Sequence, residues 1–519
     1  MKHIPVLTPE EAANIVQDGE NIVTGGFVGS CCPETLTKAL EKRFLEKGNP
    51  RNLTVYYAAA QGNRDGSGAD HFAHKGMVKR VVGGHWNMVP DLGTMVINNE
   101  IEGYNLPQGT ISQLFRDIAG KRLGTITHVG LNTFVDPRNQ GGKLNDMTKE
   151  DIVELVTIAG QERLLYKAFP VNIAFLRGTY ADEYGNITVE KEVASLESTS
   201  IAQAAKNSGG KVIVQVEKIV KGGTLDPRLV KIPRIYVDAV VLSEKGDHEQ
   251  CFGHPYDSSL TGETQVPQSD IKADAMCTKK IIGRRAALEL TEDSVVNLGI
   301  GIPEFISRVA NEEGIGDYMT LTVEAGPIGG VPQGGSQFGA SQNPECILDQ
   351  AYQFDFYDGG GVDLAFLGLA QADENGNINV SKFGPRIAGC GGFINITQNA
   401  KKVFYCGTFT AGGLKTEIKD GQIKIIQEGK SKKFIKEVEQ ITFSGQYAIE
   451  TGQPVMYITE RAVFELKKEG VYLIEIAPGI DLQKDILDQM DFVPKMDEAL
   501  ALMDGRIFRD ELMGLKSGR

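Results

Sequence analysis

Long apolar runs are missing from the sequence, and its first residues, MKHIPVLTPEEAANIV, contain no apolar core of signal-peptide length. A membrane-spanning helix needs about 18–20 consecutive apolar residues, and a secretory signal also carries an apolar region. An excess of positive charge is missing as well, since the formal net charge is −14. Nucleic-acid binding needs a basic face. We therefore expect a cytoplasmic protein that binds neither membranes nor nucleic acids.

Cysteine is scarce and shows no metal-binding pattern. The seven cysteines are dispersed, no CxxC pair occurs, and no histidine stands at metal-ligand spacing from them. Such a pattern predicts reduced thiols and no metal site. Cys31 and Cys32 are adjacent in a glycine-rich segment, where they could be reactive or simply packed inside. We assign them no chemistry.

The composition indicates a folded chain of at least two domains. The 519 residues are 41% hydrophobic and 24% charged, whereas single cores usually stop growing near about 250–300 residues. In the first part of the chain, four β-branched runs predict strands and an amphipathic run predicts a helix between the first two of them. The strands are predicted at 21–27, 53–59, 171–178 and 211–220, and the helix at 32–44. This alternation predicts an α/β fold with a mostly parallel sheet.

The same alternation restarts near residue 270, which indicates two related halves. FLRGTYADEYGNITV (175–189) and FLGLAQADENGNINV (366–380) share the motif A-D-E-x-G-N-I after a similar apolar strand. The stretch 243–268 is polar and without apolar periodicity, so we interpret it as a linker. We predict an N-terminal half at 1–242 and a C-terminal half at 269–519, with the active site in the cleft between them.

Glu324 is the strongest candidate for chemistry. It ends the apolar strand pattern of YMTLTVEAGPIGG (318–330) and is followed at once by glycines. A carboxylate there is costly unless it is solvated or used, and the glycines would let a bulky substrate approach. From the residues alone, a functional carboxylate and a strand-ending glutamate in water are equally supported.

Two further segments could contribute polar groups. PRIAGCGGFINI (385–396) could offer backbone N–H groups as an oxyanion hole, although such a glycine run is more often a tight turn. LPQGTISQLFRDIAG (106–120) places Gln108 just ahead of an amphipathic helix, where a glutamine is usually an ordinary loop residue.

Taken together, the segments resemble the family I CoA-transferases, closest to the acetate or propionate CoA-transferase branch. The resemblance rests on six segments in the family's order: GGFVGSCCPE, LPQGTISQ, NLGIGIPE, VEAGPIGG, ADENGNIN and GCGGFINI. It implies two related open α/β domains that face each other across an active-site cleft. Ala325 stands where many members have asparagine, which bears on the subgroup.

The resemblance also implies roles for individual residues. Glu324 falls on the family's catalytic glutamate, Gln108 on a glutamine that contacts the reacting carboxyl, and Gly391 on the oxyanion side. Gly389 and Gly392 are neighbours expected to contact substrate. The glycine-rich turns add Gly25, Gly26, Gly299 and Gly301 as substrate-binding residues, since the helix N-termini after them could bind the phosphates of CoA. These turns could instead only pack helix against strand.

The implied activity is exchange of coenzyme A between short-chain acyl-CoA and a free carboxylate, in ping-pong order through a glutamyl-CoA thioester on Glu324. CoA would be a substrate, and no permanent cofactor is required. We also expect a homo-oligomer. An acyl-CoA hydrolase with the same cleft and a non-catalytic ligand-sensing module are the alternatives. A Rossmann dehydrogenase is disfavoured because no G-x-G-x-x-G with a suitably placed acid occurs.

Overall fold

The computed structural model describes residues 2–267 and 274–517. By internal packing the chain forms two compact units. The first unit comprises Met1–Val266, Val323–Asp355 and Phe383–Asn395, and the second comprises Pro267–Thr322, Phe356–Lys382 and Ile396–Arg519. Two segments of the predicted C-terminal half, including that of Glu324, thus pack within the first unit.

The regular elements follow the α/β alternation predicted from the sequence. The α-helices are α1 (Pro9–Ala13), α2 (Glu34–Lys47), α3 (Pro90–Ile97), α4 (Gln108–Ala119), α5 (Ser198–Asn207), α6 (Thr278–Ala287), α7 (Glu304–Glu312), α8 (Gln350–Asp358), α9 (Phe393–Asn399) and α10 (Gly445–Thr451). The strands are β1 (Val6–Leu7), β2 (Asn21–Thr24), β3 (Leu53–Tyr57), β4 (Val78–Gly83), β5 (Glu102–Asn105), β6 (Gly124–Thr127), β7 (Val153–Ile158), β8 (Gln161–Lys167), β9 (Ile173–Asp182), β10 (Ile187–Thr188), β11 (Lys211–Val220), β12 (Val230–Ile232), β13 (Ala239–Leu242), β14 (Ser294–Leu298), β15 (Met319–Thr322), β16 (Pro327–Ile328), β17 (Val331–Pro332), β18 (Ser341–Gln342), β19 (Cys346–Ile347), β20 (Leu364–Gly368), β21 (Gln371–Ala372), β22 (Ile378–Asn379), β23 (Lys382–Phe383), β24 (Arg386–Ile387), β25 (Lys402–Cys406), β26 (Thr410–Ala411), β27 (Lys415–Lys419), β28 (Gln422–Gln427), β29 (Ser431–Lys432), β30 (Val455–Ile458), β31 (Ala462–Lys467), β32 (Gly470–Ile476) and β33 (Lys495–Leu502).

The first unit is built on a parallel sheet. Its strand order is β1-β13-β11-β9-β2-β3-β4-β5, and β10 pairs antiparallel with both β9 and β12. Every neighbouring pair along the main order is parallel. Such a sheet must be covered on its faces, and helix α2 accordingly buries Leu36, Leu40 and Phe44 in a core with strand residues such as Val55.

The second unit contains a parallel sheet in the order β15-β14-β20-β25-β30, which continues through β31, β32 and β33. Pairs from β15 to β30 are parallel, and β31 is antiparallel to both of its neighbours. Helix α6 packs Ile281 and Ile282 into the core of this unit. The predicted α/β fold with largely parallel sheets is confirmed in both units.

The repeated A-D-E-x-G-N-I motif forms the same turn in both places. Asp182 accepts hydrogen bonds from the backbone N–H of Asn186 at 2.9 Å and from its side-chain amide at 3.0 Å. Asp373 accepts the equivalent pair from Asn377, both at 3.0 Å. The residues shared by the two copies of the motif thus form the same aspartate-centred turn.

The segment interpreted as a linker is described as far as residue 267 and is packed for much of its length. Asp247 pairs with Lys38 at 2.6 Å, and the carbonyl of Glu249 accepts a hydrogen bond from Arg177 at 2.8 Å. Cys251 is fully buried. This stretch therefore belongs to the body of the first unit, whereas the division of the chain into halves at 243–268 stays a prediction.

Several predicted bounds shift. The sequence DIKADAMCTKKIIGRRAALEL (270–290) predicts a longer helix than the observed α6, which begins at Thr278. Residues 268–273 lie outside the described part of the chain. No helix in the described residues is long and apolar enough to cross a membrane.

Candidate active site

Glu324 lies in the turn that follows β15, at the carboxyl end of that strand. The turn is closed by hydrogen bonds from Gly326 N to the Val323 carbonyl and from Val323 N to the Pro327 carbonyl, both at 2.9 Å. Gly326 has φ +128°, and a Cβ there would lie 2.1 Å from the Leu348 carbonyl oxygen. Glycine at 326 is therefore required for the turn that presents Glu324.

The Glu324 carboxylate is desolvated by burial but is not fully closed off from solvent. Burial raises its pKa to about 7, against the lowering effect of the Gln108 side-chain amide and the Gly392 backbone N–H. The residue nevertheless keeps part of its surface accessible. This combination of desolvation and access is typical of functional carboxylates.

Gly392 fits closely against this carboxylate. A Cβ at residue 392 would lie 1.9 Å from Glu324 Oε2 and 3.0 Å from Phe354 Cζ. No side chain can share this space. We call residues 389–392 (GCGG) the glycine run. Within this run, the backbone N–H of Gly392 is the donor that reaches Glu324.

Gly391 and Gly389 shape the run in other ways. Both have left-handed φ angles, +53° for Gly391 and +81° for Gly389. The N–H of Gly391 donates to the Gly84 carbonyl at 2.7 Å, and its own carbonyl accepts from Gln108 N at 2.9 Å. Gly391 thus holds neighbouring backbone in place, and its role as an oxyanion donor stays a prediction.

Gln108 is the first residue of helix α4 and is almost fully buried. Its Nε2 has no partner in full hydrogen-bond geometry within the described residues, although the amide is close enough to lower the pKa of Glu324. The contact is therefore loose, and the amide keeps donor capacity. A buried donor without a strong partner is costly unless it is used.

Two residues that the sequence did not single out support this arrangement. Asn105 donates to the Gly84 carbonyl at 2.6 Å and accepts from Cys390 N at 2.9 Å, which ties β5 to the glycine run. The ring of Phe354 packs against both Gly392 and Gly109, with ring atoms 3.0 Å from a Cβ at Gly392 and 2.4 Å from a Cβ at Gly109. These contacts join residues far apart in sequence, so no local pattern could have predicted them.

The remaining predicted glycines lie in the turns that follow β2 and β14. Gly25 N donates to the Phe175 carbonyl at 3.0 Å, and a Cβ on Gly26 would lie 3.0 Å from Cys32 Sγ. In the second unit, Gly299 N donates to the Phe366 carbonyl at 2.8 Å, and Gly301 N donates to the Glu304 side chain at 2.8 Å. Substrate contact by these four glycines stays a prediction.

The helix N-terminus after Gly25 and Gly26 is already occupied. Thr35 N donates to Gln215 Oε1 at 2.9 Å, and Glu34 is buried with a carboxylate oxygen 2.8 Å from His71. A phosphate would meet a carboxylate there. The adjacent Cys31 and Cys32 are also buried, and burial raises the pKa of both thiols, which keeps them protonated.

Comparison with known proteins identifies the family of this chain. Residues 6–243 match the model of the coenzyme A transferase family. The chain is 46% identical over 513 residues to the acetate CoA-transferase YdiF of Escherichia coli O157:H7, which covers 98% of this chain and 96% of that protein. It is also 46% identical over 515 residues to the caffeate CoA-transferase of Acetobacterium woodii, with 98% of each chain covered.

Solved structures show the same fold. The apoenzyme of the acyl-CoA transferase YdiF from Escherichia coli O157:H7 superposes with a TM-score of 0.94 at 45% identity, covering 99% of this chain and 97% of that one. A thioester complex of that protein with CoA gives a TM-score of 0.93 at 45% identity, with the same coverage. The chain belongs to the family I coenzyme A transferases. It is a CoA-transferase enzyme.

Proposed function

We propose that this enzyme exchanges coenzyme A between a short-chain acyl-CoA and a free carboxylic acid, with Glu324 as the covalent carrier. The observation that carries the proposal is the setting of the Glu324 carboxylate. It is accessible and desolvated, and it lies against the Gly392 N–H and the Gln108 amide. A desolvated carboxylate is a stronger nucleophile than a hydrated one, and the adjacent N–H groups can receive developing charge.

In the first step, a Glu324 oxygen attacks the thioester carbonyl carbon of acyl-CoA. The C–S bond breaks and CoA leaves as a thiolate, so that an acyl-glutamyl anhydride remains. The thiolate then attacks the Glu324 carbonyl carbon, and the first acid leaves as a carboxylate. The second acid attacks the resulting glutamyl-CoA thioester, and the same steps run in reverse. No proton is gained or lost overall, and the thioester energy is retained.

Each attack builds a tetrahedral oxyanion that needs hydrogen-bond donors. Two donors lie beside Glu324: the Gly392 backbone N–H and the side-chain amide of Gln108. The unused capacity of Gln108 Nε2 suits a group whose partner forms only during the reaction. One such donor is typically worth about 10²–10³ in rate.

Acetate and propionate are the acids that we propose first, on the strength of the sequence resemblance. The relative from Escherichia coli is named for acetate and that from Acetobacterium for caffeate. Rates with propionyl-, butyryl- and caffeoyl-CoA, each against acetate as acceptor, would rank the acids.

Steady-state kinetics test the proposal. Double-reciprocal plots against acyl-CoA at several fixed acetate concentrations should give parallel lines, because the first acid leaves before the second binds. Intersecting lines would instead indicate direct transfer in a ternary complex. Release of free CoA at the same rate without any acceptor acid would identify a hydrolase.

A further inference from the structure

His85 lies beside the glycine run of the site and has been assigned no role so far. It follows β4 directly, in the segment Gly83–Gly84–His85–Trp86. A Cβ at Gly391 would lie 3.7 Å from His85 Cδ2 and also 3.7 Å from Gln108 Oε1. The imidazole and the Gln108 amide therefore border the same small space, one residue away from the Gly392 N–H that reaches Glu324.

The backbone around His85 has a structural task of its own. Gly84 accepts from Gly391 N at 2.7 Å, and Trp86 N donates to the Ala388 carbonyl at 2.8 Å. A Cβ at Gly389 would lie 2.9 Å from His85 Cα. These contacts dock the glycine run onto residues 84–86 through main-chain atoms, and they do not require an imidazole at residue 85.

The His85 side chain is left free by this packing. Neither ring nitrogen has a hydrogen-bond partner among residues 2–267 and 274–517, yet the residue keeps accessible surface. Burial, together with the smaller effect of the positive charges of Arg64 and Arg386, lowers the pKa of His85 to about 4. Like Glu324, His85 is desolvated but keeps accessible surface.

The two arginines add to the effect of burial on His85. Arg64 donates to the Asn87 carbonyl at 3.0 Å and Arg386 to Asn87 Oδ1 at 2.5 Å, so both side chains are held near the histidine. No described carboxylate forms an ion pair with either of them. A neutral imidazole always carries one N–H donor, and a neutral histidine can polarise a carbonyl group without releasing a proton.

We propose that His85 is a substrate-contacting residue of the transferase, whose neutral imidazole N–H donates a hydrogen bond to an oxygen of the acyl group on which Glu324 acts. The inference rests on the proposed covalent function and extends it by a third donor. The role is that of a fixed dipole and involves no proton transfer. It would be strongest when that oxygen becomes negatively charged in the tetrahedral adduct.

The test compares His85→Leu, which removes the donor, with His85→Gln, which keeps a side-chain N–H. Exposed His3 provides the matched control, His3→Leu. Each variant is mixed rapidly with acyl-CoA alone, and CoA bound at Glu324 is quantified over time by mass spectrometry. Thermal melting checks that each variant is folded.

We expect adduct formation to slow by about 10²–10³ in His85→Leu and to stay within about tenfold of wild type in His85→Gln and His3→Leu. A folded His85→Leu enzyme that forms the adduct at the wild-type rate would overturn the inference and leave the proposed function intact. Equal impairment of folded Leu and Gln variants would overturn it too, since ring shape would then matter rather than the donor. If the wild-type enzyme forms no adduct, the proposed covalent function is wrong. The role of His85 is then tested by kcat alone, and a kcat of His85→Leu equal to that of wild type would reject that role.

Discussion

Glu324 Oε2 occupies the place that a side chain of residue 392 would need, 1.9 Å from an ideal Cβ on Gly392. The absence of a side chain at one position thus lets a carboxylate approach a backbone N–H at another. The two residues are 68 positions apart in the sequence, and each belongs to a different glycine-rich segment.

The first prediction follows from this contact. Gly392→Ala should displace the Glu324 carboxylate and reduce transferase kcat by at least about 10²-fold, because a misplacement of about 1 Å can cost that much. Gly93→Ala is the matched control, since Gly93 lies inside helix α3 with nothing within 4 Å of its Cβ position. The control should keep full activity and gain about 0.5–1 kcal/mol of stability. An active Gly392→Ala enzyme would show that this contact does not position the carboxylate.

The second prediction concerns Gln108. Gln108→Ala removes a side-chain donor beside Glu324 and should lower kcat by about 10²–10³-fold without unfolding the protein. The exposed Gln161, changed to alanine, serves as the control. Steady-state rates and thermal melts measure both. Unchanged kcat/KM in Gln108→Ala would return this glutamine to a packing role.

The third prediction is a pH dependence of catalysis. Because burial raises the pKa of Glu324 to about 7, the nucleophilic carboxylate is lost as the pH falls through that value. The rate of adduct formation from acyl-CoA should therefore fall about tenfold per pH unit below pH 7 and level off above it. A rate that is constant from pH 5 to 8 would contradict a raised pKa for the nucleophile.

The fourth prediction is the matching effect on stability. The pKa of the Glu324 carboxyl is higher in the folded protein than its value of 4.5 in the unfolded chain. Burial of this carboxyl therefore costs no stability below that value, and it lowers the free energy of unfolding by its full amount above about pH 7. The free energy of unfolding of Glu324→Gln should therefore be up to about 3 kcal/mol higher than that of wild type at pH 8 and equal to it at pH 4. Urea denaturation at both pH values measures this difference. A variant less stable than wild type at pH 8 would contradict the burial cost.

Local patterns in the sequence predicted much of the fold. Strand β11 has the predicted bounds, and α2 lies within three residues of its predicted ends. The aspartate turns at Asp182 and Asp373 explain why the repeat was visible, since each aspartate side chain accepts hydrogen bonds from the asparagine four residues further on. Strand period, helix period and turn chemistry are all properties of short segments.

Long-range assembly could not be predicted from those patterns. The first unit includes residues 323–355 and 383–395, which sequence order assigns to the other half. His85 was missed because a single histidine after two glycines has no periodicity. The position of His85 becomes informative only in the folded protein, where its neighbours Gly84 and Trp86 pair with Gly391 and Ala388. The glycine pair at the end of β4 was the one local signal available.

The most direct test of the central claim is covalent capture of CoA on Glu324 in wild type and in Glu324→Asp. Aspartate keeps the charge but withdraws the carboxylate by about 1.5 Å, so covalent attack should collapse while the retracted group can direct a water at the thioester. Enzyme incubated with acyl-CoA alone is treated with borohydride, digested and examined by mass spectrometry. We predict reduction of Glu324 to its alcohol in wild type, and in Glu324→Asp no adduct but slow, acetate-independent hydrolysis. Modification at another residue, or near-normal acetate-dependent transfer by Glu324→Asp, would show that Glu324 is not the covalent carrier.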